Sequence, residues 1–135
     1  MTVHKDNALI RIMVVEDNAD YRSVIALAIE DTSDMSMTGA FGTTEIALRT
    51  LKDTSESERP DVVLLDLRLP GMSGLDAIPL FHATSPKTRI IVLSQSDAPE
   101  DIMQAISAGV SGYLLKGARL AEITEGIRTV SQGGG

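Results

Sequence analysis

The run Ile10 to Val15 (IRIMVV) is apolar at every position but one and stops at Glu16-Asp17-Asn18. That pattern predicts a short buried strand ending in an acidic loop. From Tyr21 onward, apolar residues return at Val24, Ile25, Ala28 and Ile29, the spacing of one helical face, with Asn18 or Asp20 placed to cap it. The alternation then repeats. Met35 to Phe41 predicts an edge strand weakened by Gly39. Thr43 or Thr44 opens a helix carrying Ile46, Ala47, Leu48 and Leu51, and the polar stretch Asp53 to Arg59 leads to a boundary at Pro60. Val62 to Leu65 (VVLL) is apolar throughout, as in a central strand covered on both faces, and Asp66 closes it.

Leu69 to Gly74 is a loop by its proline and glycine content, and Pro79 is expected to kink or shorten the helix that follows. Ile90 to Leu93 predicts a buried strand ending in Ser94. Asp97-Ala98-Pro99-Glu100 then has the features of a capped helix start, and Gly109 those of its end. Gly112 to Leu115 is a fifth strand ending at Lys116, and Leu120, Ile123, Ile127 and Val130 form the apolar stripe of a last helix. Five strand-helix pairs require parallel pairing through crossovers. The fold class is therefore α/β, a doubly wound five-stranded parallel sheet with helices on both faces. Residues 1–8 read as an N-terminal tail, 9–132 as the folded domain, and 133–135 as the start of a linker or a cut end.

Composition narrows the function. A chain of 135 residues with 43% hydrophobic positions fits one globular domain. Without cysteine there is no disulfide framework, thiolate zinc site or thiol nucleophile, and the cytoplasm is the expected compartment. A net charge of −7 argues against nucleic-acid binding by this domain, which would need clustered Lys and Arg. No apolar run approaches the roughly 20 residues that span a bilayer, so no membrane association is expected.

The chemistry lies at the strand ends, where ligands of open α/β sheets sit. Reading along the chain, these ends carry Glu16-Asp17, Asp66, Ser94 and Lys116. Three crowded carboxylates repel one another unless a cation joins them, and hard oxygen donors of this kind suit Mg2+. Asp66 is the candidate phosphoryl acceptor, with Lys116 as a point charge and Ser94 as a hydroxyl donor for the phosphoryl oxygens. Singly, each has an ordinary explanation: a turn or cap for Asp66, a solvated pair for Glu16-Asp17, a surface lysine for Lys116. Their joint placement at four strand ends carries the reading. His4 and His82 are isolated and receive no role, and the six methionines read as filler.

With Glu16-Asp17, the Val62 to Asp66 strand, Leu69-Pro-Gly-Met-Ser-Gly, Ser94, and Tyr113 three residues before Lys116, the chain resembles bacterial response-regulator receiver domains over nearly its whole length. The resemblance implies a (βα)5 flavodoxin-like fold with strand order 2-1-3-4-5. It also implies Mg2+ bound by Glu16, Asp17, Asp66 and the backbone carbonyl of Arg68, phosphorylation of Asp66 by a sensor histidine kinase or phosphotransfer protein, and coupled movement of Ser94 and Tyr113. The partner-binding face implied is that of the fourth helix, fifth strand and fifth helix, a possible homodimer surface. The closing segment from Glu125 to Gly134 resembles receivers of NarL and LuxR type transcription regulators, in which a helix-turn-helix domain follows.

Three positions depart from the family pattern. Gln95 stands where a small residue usually follows the switch hydroxyl. Gly117 stands where many receivers have a cis-proline, so a cis bond is not expected. Arg68 places a long cation beside the acceptor, to cover the phosphoryl group or to bind an acidic neighbour. Competing readings are weaker. A haloacid-dehalogenase-like phosphatase needs an acid where Arg68 stands, and a serine hydrolase needs a G-x-S-x-G elbow that is missing. A flavodoxin-like cofactor binder would not place acids beside a phosphate. A pseudo-receiver that binds partners without phosphate, or a stand-alone receiver, remains the alternative.

Overall fold

The computed structural model describes residues 9–133; the expected tail 1–8 with His4, and Gly134 and Gly135, lie outside the described residues. The strands are β1 (Ile10–Val15), β2 (Met35–Phe41), β3 (Val62–Leu65), β4 (Arg89–Ser94) and β5 (Gly112–Leu115). The helices are α1 (Ala19–Glu30), α2 (Thr44–Asp53), α3 (Gly74–Thr84), α4 (Pro99–Ser107) and α5 (Leu120–Ser131), with a 3-10 turn at Glu56–Glu58. All pairings are parallel and the strand order is 2-1-3-4-5.

Alternation along the strands divides the core into two layers, because successive side chains leave a strand on opposite faces. Met13, Val15, Val63, Leu65, Ile90 and Val92 pack with Ala47, Leu51, Ala77, Ile78, Phe81 and Ala105 of α2, α3 and α4. Ile12, Val14, Val62, Leu64, Ile91 and Leu93 pack with Ile25, Ile29, Ile123, Ile127 and Val130 of α1 and α5. Burying each such side chain contributes roughly 1.5–3 kcal/mol. β1, β3 and β4 are covered on both faces, so their carboxyl ends are held by the whole core.

Asn18 and Thr43 cap α1 and α2 through their side chains, as their sequence positions suggest. Gly109 takes a positive φ of 97° just beyond α4 and accommodates the end of that helix. Gly39 sits where the β1–β2 register shifts: Thr38 is left without a strand partner, and its Oγ1 donates to the Ile12 carbonyl at 3.2 Å.

Several expectations are corrected. α3 runs through Pro79 without interruption over 11 residues. The proline withholds one N–H from the ladder, the bond to the Leu75 carbonyl, but Pro79 lies on the exposed side of the helix while Ala77, Ile78 and Phe81 pack into the core. Asp97 does not cap α4; the N-cap is Ala98, which lacks a capping side chain, and Pro99 opens the helix. Val24, Ile46 and Leu120 belong to the apolar patterns yet are exposed, since each falls at the margin of a stripe whose centre meets the sheet.

α3 approaches the end of β3 so closely that a Cβ built on Gly74 would lie 2.0 Å from the Asp66 carbonyl oxygen and 2.9 Å from Leu67 Cα. Gly74→Ala is expected to destabilise by about 3 kcal/mol through overpacking. Gly117→Ala, whose Cβ meets nothing within 4 Å, should change stability by less than about 0.5 kcal/mol. Urea midpoints at constant m-value distinguish the two. At the opposite end of the sheet, the Arg128 guanidinium of α5 grips Asp34 at 2.7 and 3.1 Å and holds its carboxyl below the usual carboxylate range. A lowered folded pKa contributes stability above the unfolded value and loses it as pH falls. Asp34→Asn should therefore lower the Tm at pH 7, with the difference from wild type shrinking as the pH falls below the ordinary carboxylate range and wild-type Asp34 takes up its proton.

Candidate functional site

The strand order reverses direction between β1 and β3, and the crevice at their carboxyl ends is where the chemically capable side chains meet. Its volume is ≈ 690 Å³, and its walls include Glu16, Asp17, Asp66, Ser94 and Lys116, all anticipated from the sequence. Backbone pairing continues past the strands and sets their ends. The Glu16 N–H donates to the Phe41 carbonyl, that of Asp66 to the Val15 carbonyl and that of Lys116 to the Ser94 carbonyl, at 2.9, 3.0 and 2.8 Å.

Glu16 and Asp66 are buried and Asp17 is exposed. Each of the three offers a carboxylate oxygen lying within 4.8 Å of the others. Glu16 Oε2 accepts from the Asn18 N–H at 2.9 Å, and Asp66 Oδ1 from the Arg68 N–H at 3.0 Å. The Lys116 ammonium bridges the buried pair, 2.6 Å from Glu16 Oε1 and 3.0 Å from Asp66 Oδ2. Glu16 Oε1 has no well-formed hydrogen bond despite this ion contact and is fully enclosed. Three carboxylate oxygens converging within 4.8 Å, with one ammonium among them to balance their charge, fit a hard divalent cation.

Burial holds the Glu16 carboxyl above its ordinary range; Lys116 and the Asn18 N–H oppose this, and Asp66 adds to it. Burial by itself would lower the Lys116 ammonium, but its bonds to Glu16 and Asp66 outweigh that and raise it. The lysine is therefore a fixed positive charge, and the acids share it.

Ser94 is buried, and its Oγ accepts from the Ser96 N–H at 3.0 Å. Ser96 in turn accepts from the Tyr113 hydroxyl at its carbonyl, 2.8 Å away, while its own hydroxyl donates to Asp101 of α4. Ser94 and Tyr113 are thus joined through one residue that the sequence reading missed; its signal was the Ser94-x-Ser96 spacing of consecutive hydroxyl turns before a helix. Tyr21 was also missed as a site residue. Its ring lies 5.1 Å from the Lys116 ammonium, yet in sequence it reads only as the start of an apolar stripe. Gln95 and Gly117 line the crevice mouth. No cis peptide bond occurs among the described residues, as expected from glycine at 117. The Arg68 side chain is 80% exposed and approaches Asp101, an acidic neighbour, at 4.0 Å. His82 stands near the end of α3, away from the crevice.

The sequence profile of the response regulator receiver domain matches residues 12–128. The chain is 30% identical over 125 residues to the transcriptional regulatory protein MctR of Rhizobium johnstonii, covering 93% of this chain and 56% of that protein. It is also 30% identical over 122 residues to the nitrate/nitrite response regulator NarL of Escherichia coli, covering 90% and 55%. It thus spans a little over half the length of these curated relatives. Among solved structures, the signal receiver domain of a NarL response regulator from Mycobacterium tuberculosis superposes with a TM-score of 0.83 at 29% identity, over 93% of this chain and 98% of that one. A LuxR family two-component response regulator from an Aurantimonas species gives 0.84 at 27% identity, over 93% and 87%. With its strand order, its acidic crevice and these matches in agreement, the chain belongs to the response regulator receiver domain family, alongside regulators of the NarL and LuxR type.

Proposed function

We propose that this domain is a phosphorylation-dependent switch in which Asp66 accepts a phosphoryl group from the phosphohistidine of a sensor kinase or phosphotransfer protein. The observation that supports it best is the convergence of Glu16, Asp17 and Asp66 around one point with the Lys116 ammonium 3.0 Å from Asp66. In the transfer, an Asp66 carboxylate oxygen forms the new bond to phosphorus while the bond to the donor nitrogen breaks. Lys116 meets one phosphoryl oxygen and the Ser94 hydroxyl another. Glu16, Asp17, Asp66 and the Arg68 carbonyl would hold Mg2+, which when bound supplies further neutralisation of charge on the phosphoryl oxygens. The domain acts as a signalling element rather than a conventional enzyme, although it catalyses its own phosphorylation and the hydrolysis of its aspartyl phosphate.

The switch follows from the bonds around Ser96. A Ser94 hydroxyl drawn toward a phosphoryl oxygen gives up the Ser96 N–H, and the loop that moves carries both the Tyr113 hydroxyl's acceptor and the Asp101 contact of α4. The change reaches the surface of α4, β5 and α5, where Met103, Ile106, Leu115 and Leu120 are exposed apolar side chains suited to a partner or a second copy. Because the relatives named as transcription regulators are nearly twice as long, a C-terminal helix-turn-helix domain is the proposed output, and DNA contact belongs to it. Among the described residues no helix is long and apolar enough to cross a membrane, and the cytoplasm is the proposed compartment.

Incubation with acetyl phosphate and Mg2+ is expected to add one phosphoryl group by intact mass, with none gained by Asp66→Asn or after chelation of the metal. Retention of the gain in Asp66→Asn would move the acceptor elsewhere. No gain in the wild type, from acetyl phosphate or a panel of kinases, would favour the phosphate-independent interaction module.

A further inference from the structure

Lys116 directly follows β5, an edge strand without a buried residue, and precedes Gly117, where an added Cβ would meet nothing within 4 Å. The backbone there is set by the Lys116 N–H on the Ser94 carbonyl at 2.8 Å and by a turn closed from the Ala118 N–H to the Leu115 carbonyl at 3.0 Å, but neither bond restrains the lysine side chain. Yet the Lys116 ammonium must stay within ion-pair distance of two buried acids on different strands. A flexible four-carbon side chain loses conformational entropy when its ammonium is held in one place, so a second contact that restrains it matters.

Tyr21, in the first turn of α1, meets Lys116 at both ends. Its ring faces the ammonium with 5.1 Å between nitrogen and ring centroid, within the range of a cation–π attraction. Its hydroxyl donates to the Lys116 backbone carbonyl at 3.4 Å, a long bond that draws the loop toward α1. Tyr21 is half-buried and lines the same crevice, but it touches neither Glu16 nor Asp66 through a hydrogen bond. Resting on the reading of this crevice as a phosphoryl-transfer site, we infer that Tyr21 is a positioning residue that clamps Lys116, ammonium and carbonyl together, over the acceptor aspartate. The ring supplies most of the restraint, because the hydroxyl contact is at the outer limit of a hydrogen bond.

The test compares wild type, Tyr21→Phe and Tyr21→Leu, each confirmed as folded by its urea midpoint and amide NMR spectrum. The first readout is the shift of the Lys116 Hε protons, which an aromatic ring facing the ammonium moves upfield whether or not phosphate is ever accepted. The second is the rate of acetyl phosphate phosphorylation at saturating Mg2+. The ring-current shift should persist in Tyr21→Phe and vanish in Tyr21→Leu. The phosphorylation rate should stay within about twofold for Phe and fall roughly three- to tenfold for Leu, the range a cation–π contact spans, without a change in the Mg2+ concentration giving half the maximal rate. Unshifted Lys116 protons in the wild type, or a Leu variant phosphorylated at the wild-type rate, would overturn the clamp. If the wild type takes no phosphate, the phosphoryl-transfer reading fails, and the Lys116 shift alone still decides whether Tyr21 holds the lysine.

Discussion

The Lys116 ammonium, held between Glu16 on β1 and Asp66 on β3, is the contact on which the carboxyl edge of the sheet depends. Two carboxylates 4 Å apart repel by roughly 4 kcal/mol at the effective dielectric of a protein surface, several times the net contribution of one hydrogen bond. The acids here are closer to burial than to solvent, so an internal cation is needed for both to ionise. Lys116 provides it from a fifth strand that does not pair with β1 or β3. The ion contacts therefore tie together three strands whose backbones are not all neighbours. Removing the lysine would leave a buried charge uncompensated, which costs far more than the pair itself contributes.

The arrangement is suited to a further cation for the same reason. A site that already balances two negative charges with one positive charge keeps a residual negative potential, which draws a divalent cation, and the lysine stays protonated throughout. The Arg68 guanidinium does not join this balance. It reaches outward toward Asp101, leaving only its backbone N–H on Asp66. Charge at Asp66 and charge at its rim are thus separated, and the rim connects to α4.

The connection from site to surface is short. Ser94, Ser96 and Tyr113 are linked by two hydrogen bonds of 3.0 and 2.8 Å, and Ser96 also holds the start of α4 through Asp101. A helix capped by Ala98 without a side-chain bond depends on that contact more than one with a capping hydroxyl would. The missing side-chain cap and the hydroxyl relay leave the β4–α4 segment tied to Ser94 through Ser96.

The amino-acid sequence by itself determined the element order, the alternation that divides the core into two layers, and the strand-end acids, serine and lysine. These are properties of local period and chain order, which survive without knowing what packs on what. It did not determine the persistence of α3 through Pro79 or the failure of Asp97 to cap α4. Propensity gives way at the first to the packing of Ala77, Ile78 and Phe81, and at the second the Ser96 hydroxyl orders the loop through the Ala98 N–H and Asp101 while the helix itself starts without a side-chain cap. Nor could spacing show that Tyr21 lies beside Lys116, that Ser96 joins Ser94 to Tyr113, or that Arg68 turns toward Asp101. Those partners are 95, 17 and 33 residues apart along the chain, and only the tertiary structure, by bringing β5 and the loops after β3 and β4 to one edge of the sheet, decided which of many polar side chains would meet.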